Sequence, residues 1–368
     1  MPSRPRAHAA AADPQRGTAS RAAAVAVGIA ILALVSSIVA APPASATAPA
    51  SATAPASATA PAAPATASTH IYVSNQLVNT VSVIDASTNR VTATVPVGMA
   101  PGGVAVTPDT KHVYIANAGS ANVSVLDTTT NTVTATIALP AGSSPTSVAV
   151  NPNGTTAYLT DGAGNNVFVL NTATNQAIAT VPVGTQPVSI ALTRDGATAY
   201  VANAGSDNVS VIDTKTNRVV QTLPAGHAPA SLAVTPDGRY VYVADEVGQS
   251  VSIIDTQTGA ITATTQVGIG PFGAALAPNG SRAYIVNLGP GTLSVLDTVT
   301  HQVTATVDLG GHGTDPFGVT ATAQAIYVAE QGANALAVID PVTLKILATI
   351  PVGTSPYGVA TSAPSSGG

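Results

Sequence analysis

The feature that most constrains this chain is a segment of about forty residues that recurs seven times after Ile71. An Asp or Asn ends the third strand-like run of every copy, at intervals of 42 to 44 residues. These residues are Asp85, Asp127, Asn171, Asp213, Asp255, Asp297 and Asp340. Repetition at this period is typical of folds in which each copy forms one supersecondary unit. The sequence therefore predicts a single array rather than two independent domains.

Within each copy, turn residues separate four short runs, which we label strands A, B, C and D. In the fifth copy they are residues 231–235, 240–244, 251–255 and 261–267. Four short strands in each repeat form a propeller blade, so the sequence predicts an all-β, seven-bladed β-propeller of four-stranded blades. Strand D is predicted to lie at the outer edge, because proline interrupts a central ladder but is tolerated on an edge strand. The prolines concerned are Pro96, Pro182, Pro224 and Pro351.

The first and last copies are incomplete in complementary ways. The first copy starts at strand B with Ile71, and the chain ends with an unpartnered strand A at 357–361. We therefore predict that the C-terminal strand pairs with the N-terminal blade and closes the ring, with Val359 buried there. The propeller is predicted to span 71–363, followed by a short tail at 364–368.

Three motifs of the copies resemble those of the YVTN β-propeller repeat family, found in bacterial secreted and archaeal surface-layer proteins. They are the Tyr-Val-x-Asn run at 72–75, the Val-Ser-Val-Ile-Asp-Thr run at 209–214 and the Val-Gly-x-x-Pro-x-Gly-Val-Ala run at 97–105. The resemblance extends from residue 71 to about 363. It implies a seven-bladed propeller whose motif residues are mostly structural, with a role in cell-surface interaction, adhesion or binding.

The first 46 residues are predicted to be a signal peptide. An arginine-containing region at 1–21 precedes an apolar run at 22–41, and Ala44-Ser45-Ala46 has the form of a cleavage site. The run approaches the ~20 residues that span a bilayer, so an uncleaved anchor is the alternative. Residues 47–70 repeat Ala, Ser, Thr and Pro and are predicted to be a disordered spacer. We therefore expect a secreted protein, extracellular or attached to the cell surface.

Charge is distributed unevenly between the two predicted faces of the ring. Because strands alternate in direction, the D-to-A and B-to-C loops share one face, the top, and the remaining loops share the bottom. Residues 71–363 contain eight Lys or Arg and sixteen Asp or Glu, and all eight bases fall in or beside bottom loops. Nucleic-acid binding is therefore not expected. An acidic top favours a basic patch on a protein or cell-envelope component, or a small cationic ligand.

Three of the seven residues that close strand B are carboxylates, Asp161, Asp245 and Glu330, where the other copies have Asn. Glu246 follows Asp245, and neighbouring D-to-A loops add two histidines. One hypothesis is a divalent-metal site at the channel mouth, since mixed nitrogen and oxygen donors suit such ions. Its candidate ligands are His227, Asp245, His312 and Glu330. The alternative is that these side chains cap the turn after strand B and that no cofactor is needed.

Three adjacent blades carry an aromatic residue after the proline of the D-to-A loop. These are Phe272, Phe317 and Tyr357, in blades six, seven and one. One interpretation is that each ring packs over the neighbouring blade. The other is that the three rings form an apolar crescent beside the acidic top, where a ligand or peptide docks.

The chain lacks the local motifs of common enzyme classes, including Gly-x-Ser-x-Gly, His-Glu-x-x-His and a phosphate-binding glycine loop, and it has no Cys. The predicted function is therefore a secreted, non-enzymatic binding or cell-surface interaction scaffold that uses its acidic top face. Its candidate contact residues are Asp161, Asp245, Glu246, Glu330, Phe272, Phe317 and Tyr357. The alternative is a metal-dependent hydrolase or lyase of the lactonase or streptogramin-lyase kind, with its site at the top of the channel.

Overall fold

The structure, a computed structural model, describes residues 69–362, which form 28 strands and no helix. The predicted signal peptide, the spacer up to residue 68 and the predicted tail lie outside the described residues. The spacer prediction ran slightly too far, since His70 already belongs to the first strand. No helix with the length and hydropathy needed to cross a bilayer occurs within 69–362.

The strands follow one another in groups of four with nearly constant length. The first blade contributes β1 (His70–Asn75), β2 (Thr80–Asp85) and β3 (Arg90–Pro96). Blade two is β4 (Pro101–Val106), β5 (His112–Asn117), β6 (Asn122–Asp127) and β7 (Thr132–Ala138). Blade three is β8 (Pro145–Val150), β9 (Thr156–Asp161), β10 (Asn166–Asn171) and β11 (Gln176–Pro182). Blade four is β12 (Pro187–Leu192), β13 (Thr198–Asn203), β14 (Asn208–Asp213) and β15 (Arg218–Pro224).

The remaining three blades repeat the plan and supply the strand that completes the first. Blade five is β16 (Pro229–Val234), β17 (Tyr240–Asp245), β18 (Ser250–Asp255) and β19 (Ala260–Gln266). Blade six is β20 (Pro271–Leu276), β21 (Arg282–Asn287), β22 (Thr292–Asp297) and β23 (Val303–Asp308). Blade seven is β24 (Pro316–Ala321), β25 (Ile326–Glu330), β26 (Ala335–Ile339) and β27 (Ile346–Pro351). The last strand, β28 (Pro356–Thr361), is strand A of blade one.

Each blade is a separate antiparallel sheet in the order A-B-C-D, which confirms the predicted seven four-stranded blades. Strand A lines the central channel, and most residues of strand D are exposed, so the outer position predicted for strand D is confirmed. The predicted start of strand A was wrong by two residues in blade five. Strand β16 begins at Pro229, because a proline that lacks an N–H is accepted as the first residue of a strand.

The core lies between neighbouring blades. Each strand B packs against one neighbouring blade with one face and against the other neighbouring blade with its second face. All residues of β17 after Tyr240 are buried. Tyr242 and Ile253 of blade five pack with Ile285 and Leu296 of blade six in one apolar cluster. Burial of each such side chain contributes about 1.5–3 kcal/mol, so neighbouring blades stabilise each other face to face.

In blades two, three and five, the tyrosine that opens the Tyr-Val-x-Asn run also forms a hydrogen bond to the next blade. The Tyr114 hydroxyl donates to the carbonyl of Thr172 at 3.3 Å and to Asn175 Oδ1 at 2.9 Å. In blade five, the Tyr242 hydroxyl lies 2.6 Å from His301 Nδ1. The buried ring therefore keeps its hydroxyl satisfied while it links consecutive blades.

The Asp that ends strand C is structural, as the turn chemistry predicted. Asp340 Oδ1 accepts hydrogen bonds from the N–H groups of Val342 at 2.8 Å and Thr343 at 2.7 Å. These bonds hold the turn before strand D and lower the pKa of Asp340. On the A-to-B turn, the N–H of Gly238 donates to the carbonyl of Thr235 at 2.7 Å, which is the predicted four-residue turn.

The ring closes through the two ends of the described chain. Strand β28 pairs with β1, with Tyr72 opposite Ala360 and Val73 opposite Val359. The N–H of Ser362 also donates to the carbonyl of His70 at 2.9 Å. The predicted closure is confirmed, but Val359 is only partly buried, because strand A faces the central channel on one side.

Removal of β28 should open the ring. A chain that ends at Gly353 is expected to lose several kcal/mol of unfolding free energy, since each main-chain bond to β1 is worth ~1 kcal/mol net. The melting temperature should fall well below that of a control chain that ends at Ser362. Equal melting temperatures for the two chains would show that the ring does not depend on this strand.

Candidate functional site

The seven A strands enclose a cavity of ≈ 240 Å³ on the ring axis. In six of the seven blades, the residue after the proline that begins strand A lines this cavity. These residues are Tyr357 in blade one and Thr146, Val188, Ala230, Phe272 and Phe317 in blades three to seven, while blade two has Gly102 at this position. Because strand A begins on the top face, the cavity opens toward the D-to-A and B-to-C loops.

A second set of seven residues, the first residue after each strand B, surrounds the same mouth. The N–H of each donates to the carbonyl of the residue before the strand-A proline, for example Glu246 to Ala228 at 3.1 Å. In blades one to seven this set is Gln76, Ala118, Gly162, Ala204, Glu246, Leu288 and Gln331. We call these residues the rim.

The wall is aromatic on one side. The ring centroids of Phe272 and Phe317 are 4.7 Å apart, and those of Phe317 and Tyr357 are 5.2 Å apart. Phe272 and Tyr357 also contact each other edge to face at 5.9 Å. Phe317 is buried, whereas the other two rings are partly exposed. The three rings therefore form one cluster in the channel wall rather than an open crescent on the top surface.

The opposite side of the wall has no aromatic ring. Blades three and four place Thr146 and Val188 where blades six, seven and one have aromatic rings. One residue deeper, the lining residue is a serine in blades three to five and a glycine in the other four blades. The serines are Ser147, Ser189 and Ser231. The cavity thus has an aromatic half and a hydroxyl half.

Glu246 is the one acidic residue among the seven rim residues. Its side chain is partly buried and accepts no hydrogen bond from residues 69–362. Burial raises the pKa of this carboxyl to about 7. Burial also raises the pKa of Tyr357, and the negative charge of Glu246 raises it further.

Gln76 is a second polar rim residue whose side chain lacks part of its hydrogen bonds. Only 1% of it is exposed, and its Oε1 accepts a hydrogen bond from Gln331 Nε2 at 3.4 Å. Its Nε2 has no acceptor within the described part of the chain. A buried amide donor that is left unpaired costs free energy, so this group is available for a bound molecule or water.

The residues that close strand B lie behind the rim and bond to strand C. The Asn75 side-chain amide donates to Thr80 Oγ1 at 3.1 Å and to Ser82 Oγ at 3.0 Å. The same pattern holds, with different first acceptors, for Asn117, Asn203 and Asn287. These asparagines therefore tie strand B to strand C instead of capping the B-to-C turn.

Asp245 and Asp161 occupy this position as carboxylates with local donors. Asp245 accepts from the N–H of Gly226 at 3.0 Å and from the Ser252 hydroxyl at 2.6 Å. Burial raises the pKa of Asp245 to about 6, although these bonds oppose the shift. A Cβ on Gly226 would overlap the Asp245 carboxyl, which explains the glycine of the Val-Gly motif. Asp161 accepts from the N–H of Ser144 at 2.8 Å.

Glu330 differs from its counterparts because strand C provides no side-chain hydrogen-bond donor to its carboxyl. It pairs with Ala335, and the next position on that face is Ala337, where most blades have a serine hydroxyl. Only 3% of Glu330 is exposed, and its carboxyl accepts no hydrogen bond from the described residues. Burial raises its pKa to about 7.

The four candidate metal ligands are not assembled into one centre. No group of three His, Cys, Asp or Glu side chains suited to a metal ion occurs within residues 69–362. His227 Nδ1 lies 3.3 Å from Asp207 Oδ2 on the exposed loop surface, while Asp245 bonds to Gly226 and Ser252. The physical reason is that each strand-B carboxylate lies between blades, beneath its own D-to-A loop.

Sequence reasoning missed the serine half of the cavity and Gln76. Ser147, Ser189 and Ser231 follow the strand-A proline by two positions, so their shared register was a usable signal. The orphaned Nε2 of Gln76 had no such signal, since it depends on the rotamers of two neighbouring blades.

Comparison with known proteins supports a β-propeller family. The family model described as Lactonase, 7-bladed beta-propeller, matches residues 103–271. The model described as YNCE-like beta-propeller matches residues 29–141. No curated protein matches the chain.

Solved structures match over most of the chain. Hydrazine synthase from Kuenenia stuttgartiensis is 24% identical, with a TM-score of 0.62, over 76% of this chain and 92% of that one. A functionally unknown protein from Desulfotomaculum acetoxidans is 18% identical, with a TM-score of 0.70, over 80% of this chain and 99% of that one. The dihydro-heme d1 dehydrogenase NirN is 16% identical, with a TM-score of 0.62, over 81% of this chain and 76% of that one. At these identities the likeness concerns the fold alone.

Neutralising Glu330 should stabilise the protein in a pH-dependent manner. Its folded pKa of about 7 exceeds the ordinary 4.5, so its contribution to stability is present below pH 4.5 and lost as the pH rises through 7. E330Q should therefore raise the unfolding free energy at pH 8 by up to about 3 kcal/mol and change it little at pH 4.5. Thermal melts of E330Q and of the exposed-site control D308N across this range test the prediction. An equal effect of E330Q at both pH values would contradict it.

Proposed function

We propose that this protein is a non-enzymatic binding module whose ligand enters the top mouth of the central channel. One observation carries the proposal: the cavity is lined by contacting aromatic rings on one side and by serine hydroxyls on the other, with the Glu246 carboxyl at its rim. Apolar walls with a few placed polar groups are typical of small-molecule sites. The remainder of the ring provides a rigid frame that holds these groups in position.

The size of the cavity favours a small ligand. Its volume of ≈ 240 Å³ lies below the ~300–1,000 Å³ common for sites that hold drug-sized molecules. A compact organic molecule fits this space, whereas a folded partner can contact only the rim.

We also propose that the module acts outside the cell or at its surface. The support is the arginine-containing region at 1–21, the apolar run at 22–41, the Pro/Ala-rich spacer and the resemblance to YVTN repeats. A cell-envelope component is then the natural source of the ligand.

A substitution that fills the open half of the cavity should abolish binding. V188F places in blade four the residue type that blades six and seven already carry at the equivalent position, so the backbone accommodates it. Ligand-observed NMR with a fragment set of cationic, neutral and anionic compounds should give binders that V188F loses. The control V220F adds the same ring to an exposed position on strand D of the same blade and should keep them.

The proposal fails if no fragment binds the unaltered protein, or if V188F and V220F bind the same fragments equally. Melting temperatures of both variants separate loss of the site from loss of the fold.

A second candidate, hydrolysis of a lactone or similar ester, is favoured by the lactonase-type match over 103–271. Glu246 would be the general base, because a carboxyl with a pKa near 7 suits proton transfer at neutral pH. Turnover of a lactone panel that E246Q abolishes and D308N leaves unchanged would replace the binding proposal with this one.

Within residues 69–362, no three of the predicted metal ligands lie close enough together to hold one ion. Zinc, calcium or manganese should therefore neither bind with sub-millimolar affinity in calorimetry nor alter turnover.

A further inference from the structure

We propose that the ligand of the channel mouth is a small amino alcohol, an organic cation that carries a hydroxyl group. Its ammonium group lies between the Glu246 carboxylate and the aromatic cluster, and its hydroxyl reaches the serines deeper in the cavity. This inference rests on the proposed binding function and assigns the chemical class of the ligand.

The sign of the charge follows from the rim and the face around it. Glu246 accepts no hydrogen bond from the described residues and is partly buried, so its hydrogen-bond partner is water or a bound donor. Within residues 69–362, every Lys and Arg lies on or beside an A-to-B or C-to-D loop, at the opposite face. A cation at the mouth is therefore not repelled by any Lys or Arg, whereas an anion is repelled by the Glu246 carboxylate.

The aromatic cluster favours an ammonium group with an alkyl surface. Phe272 and Tyr357 are partly exposed to the cavity, and Phe317 supports them from a buried position. Ring faces attract cations through their quadrupoles, and alkyl groups on nitrogen pack against the same rings. The main chain of Glu246 is hydrogen-bonded to Ala228, directly before strand A of blade five, and the neighbouring blade six carries Phe272, so the carboxylate and the aromatic cluster belong to the same mouth.

The hydroxyl half of the cavity supplies the second contact. Ser147 and Ser189 have hydroxyls that make no hydrogen bond within the described chain, and the Ser231 hydroxyl accepts from the N–H of Ala274 at 3.3 Å. A ligand hydroxyl both donates and accepts, so it matches serine groups that do the same. An apolar cation without a hydroxyl would leave this side to water.

Three probes of nearly equal size separate the two contacts. Choline has both the ammonium and the hydroxyl group, 3,3-dimethyl-1-butanol lacks the charge, and propyltrimethylammonium has a methyl group in place of the hydroxyl. Calorimetry at pH 8, where Glu246 is mostly ionised, should give choline at least a tenfold lower Kd than either analogue.

Two sets of variants assign the preference to residues. E246Q should remove the preference of choline over 3,3-dimethyl-1-butanol, whereas D308N, which removes a charge from the same face away from the mouth, should retain it. S147A/S189A should remove the preference of choline over propyltrimethylammonium. The control T129A/T264A removes two exposed hydroxyls far from the cavity and should change nothing.

The inference is overturned if either analogue binds as tightly as choline, or if E246Q keeps the full preference for choline over 3,3-dimethyl-1-butanol. If V188F-sensitive fragments exist in that case, the binding function stands and only the ligand class is wrong. If no V188F-sensitive compound exists at all, the binding function and the ligand class both fail.

Discussion

The ring depends on the burial of strand B between two neighbouring sheets. In blade five, Tyr242 packs toward blade six, while Val241 and Val243 pack toward blade four. No blade can cover both faces of this strand by itself, so each requires a neighbour on either side. That requirement makes closure of the circle by β28 an energetic necessity, and it explains why the Tyr-Val-x-Asn run recurs with little change.

Most of the fold was predictable because every informative signal occurs seven times. The strand order, the outer position of strand D and the pairing of the two chain ends all followed from register along the repeat. The predictions of a strand boundary and of one residue's burial were wrong because both depend on neighbouring segments of the fold. Pro229 begins a strand although it cannot donate to one, and Val359 faces a channel whose walls come from seven separate segments.

Some residues of the candidate site could be chosen from the sequence, but their spatial arrangement could not. The sequence singled out Glu246, Phe272, Phe317 and Tyr357 as departures from the repeat, and the three aromatic residues line the cavity. The ring contacts join blades six, seven and one, which no sequence spacing encodes. The buried carboxyl of Glu330 illustrates the same limit, since its lack of a partner follows from two alanines on a different strand.

The way the ring closes also places both ends of the described chain on one face. Strand β1 begins and strand β28 ends on the bottom face, where Ser362 bonds to His70. Any segment that precedes or follows residues 69–362 therefore joins the ring from below. A tether attached at either junction therefore leaves the top mouth of the cavity unobstructed.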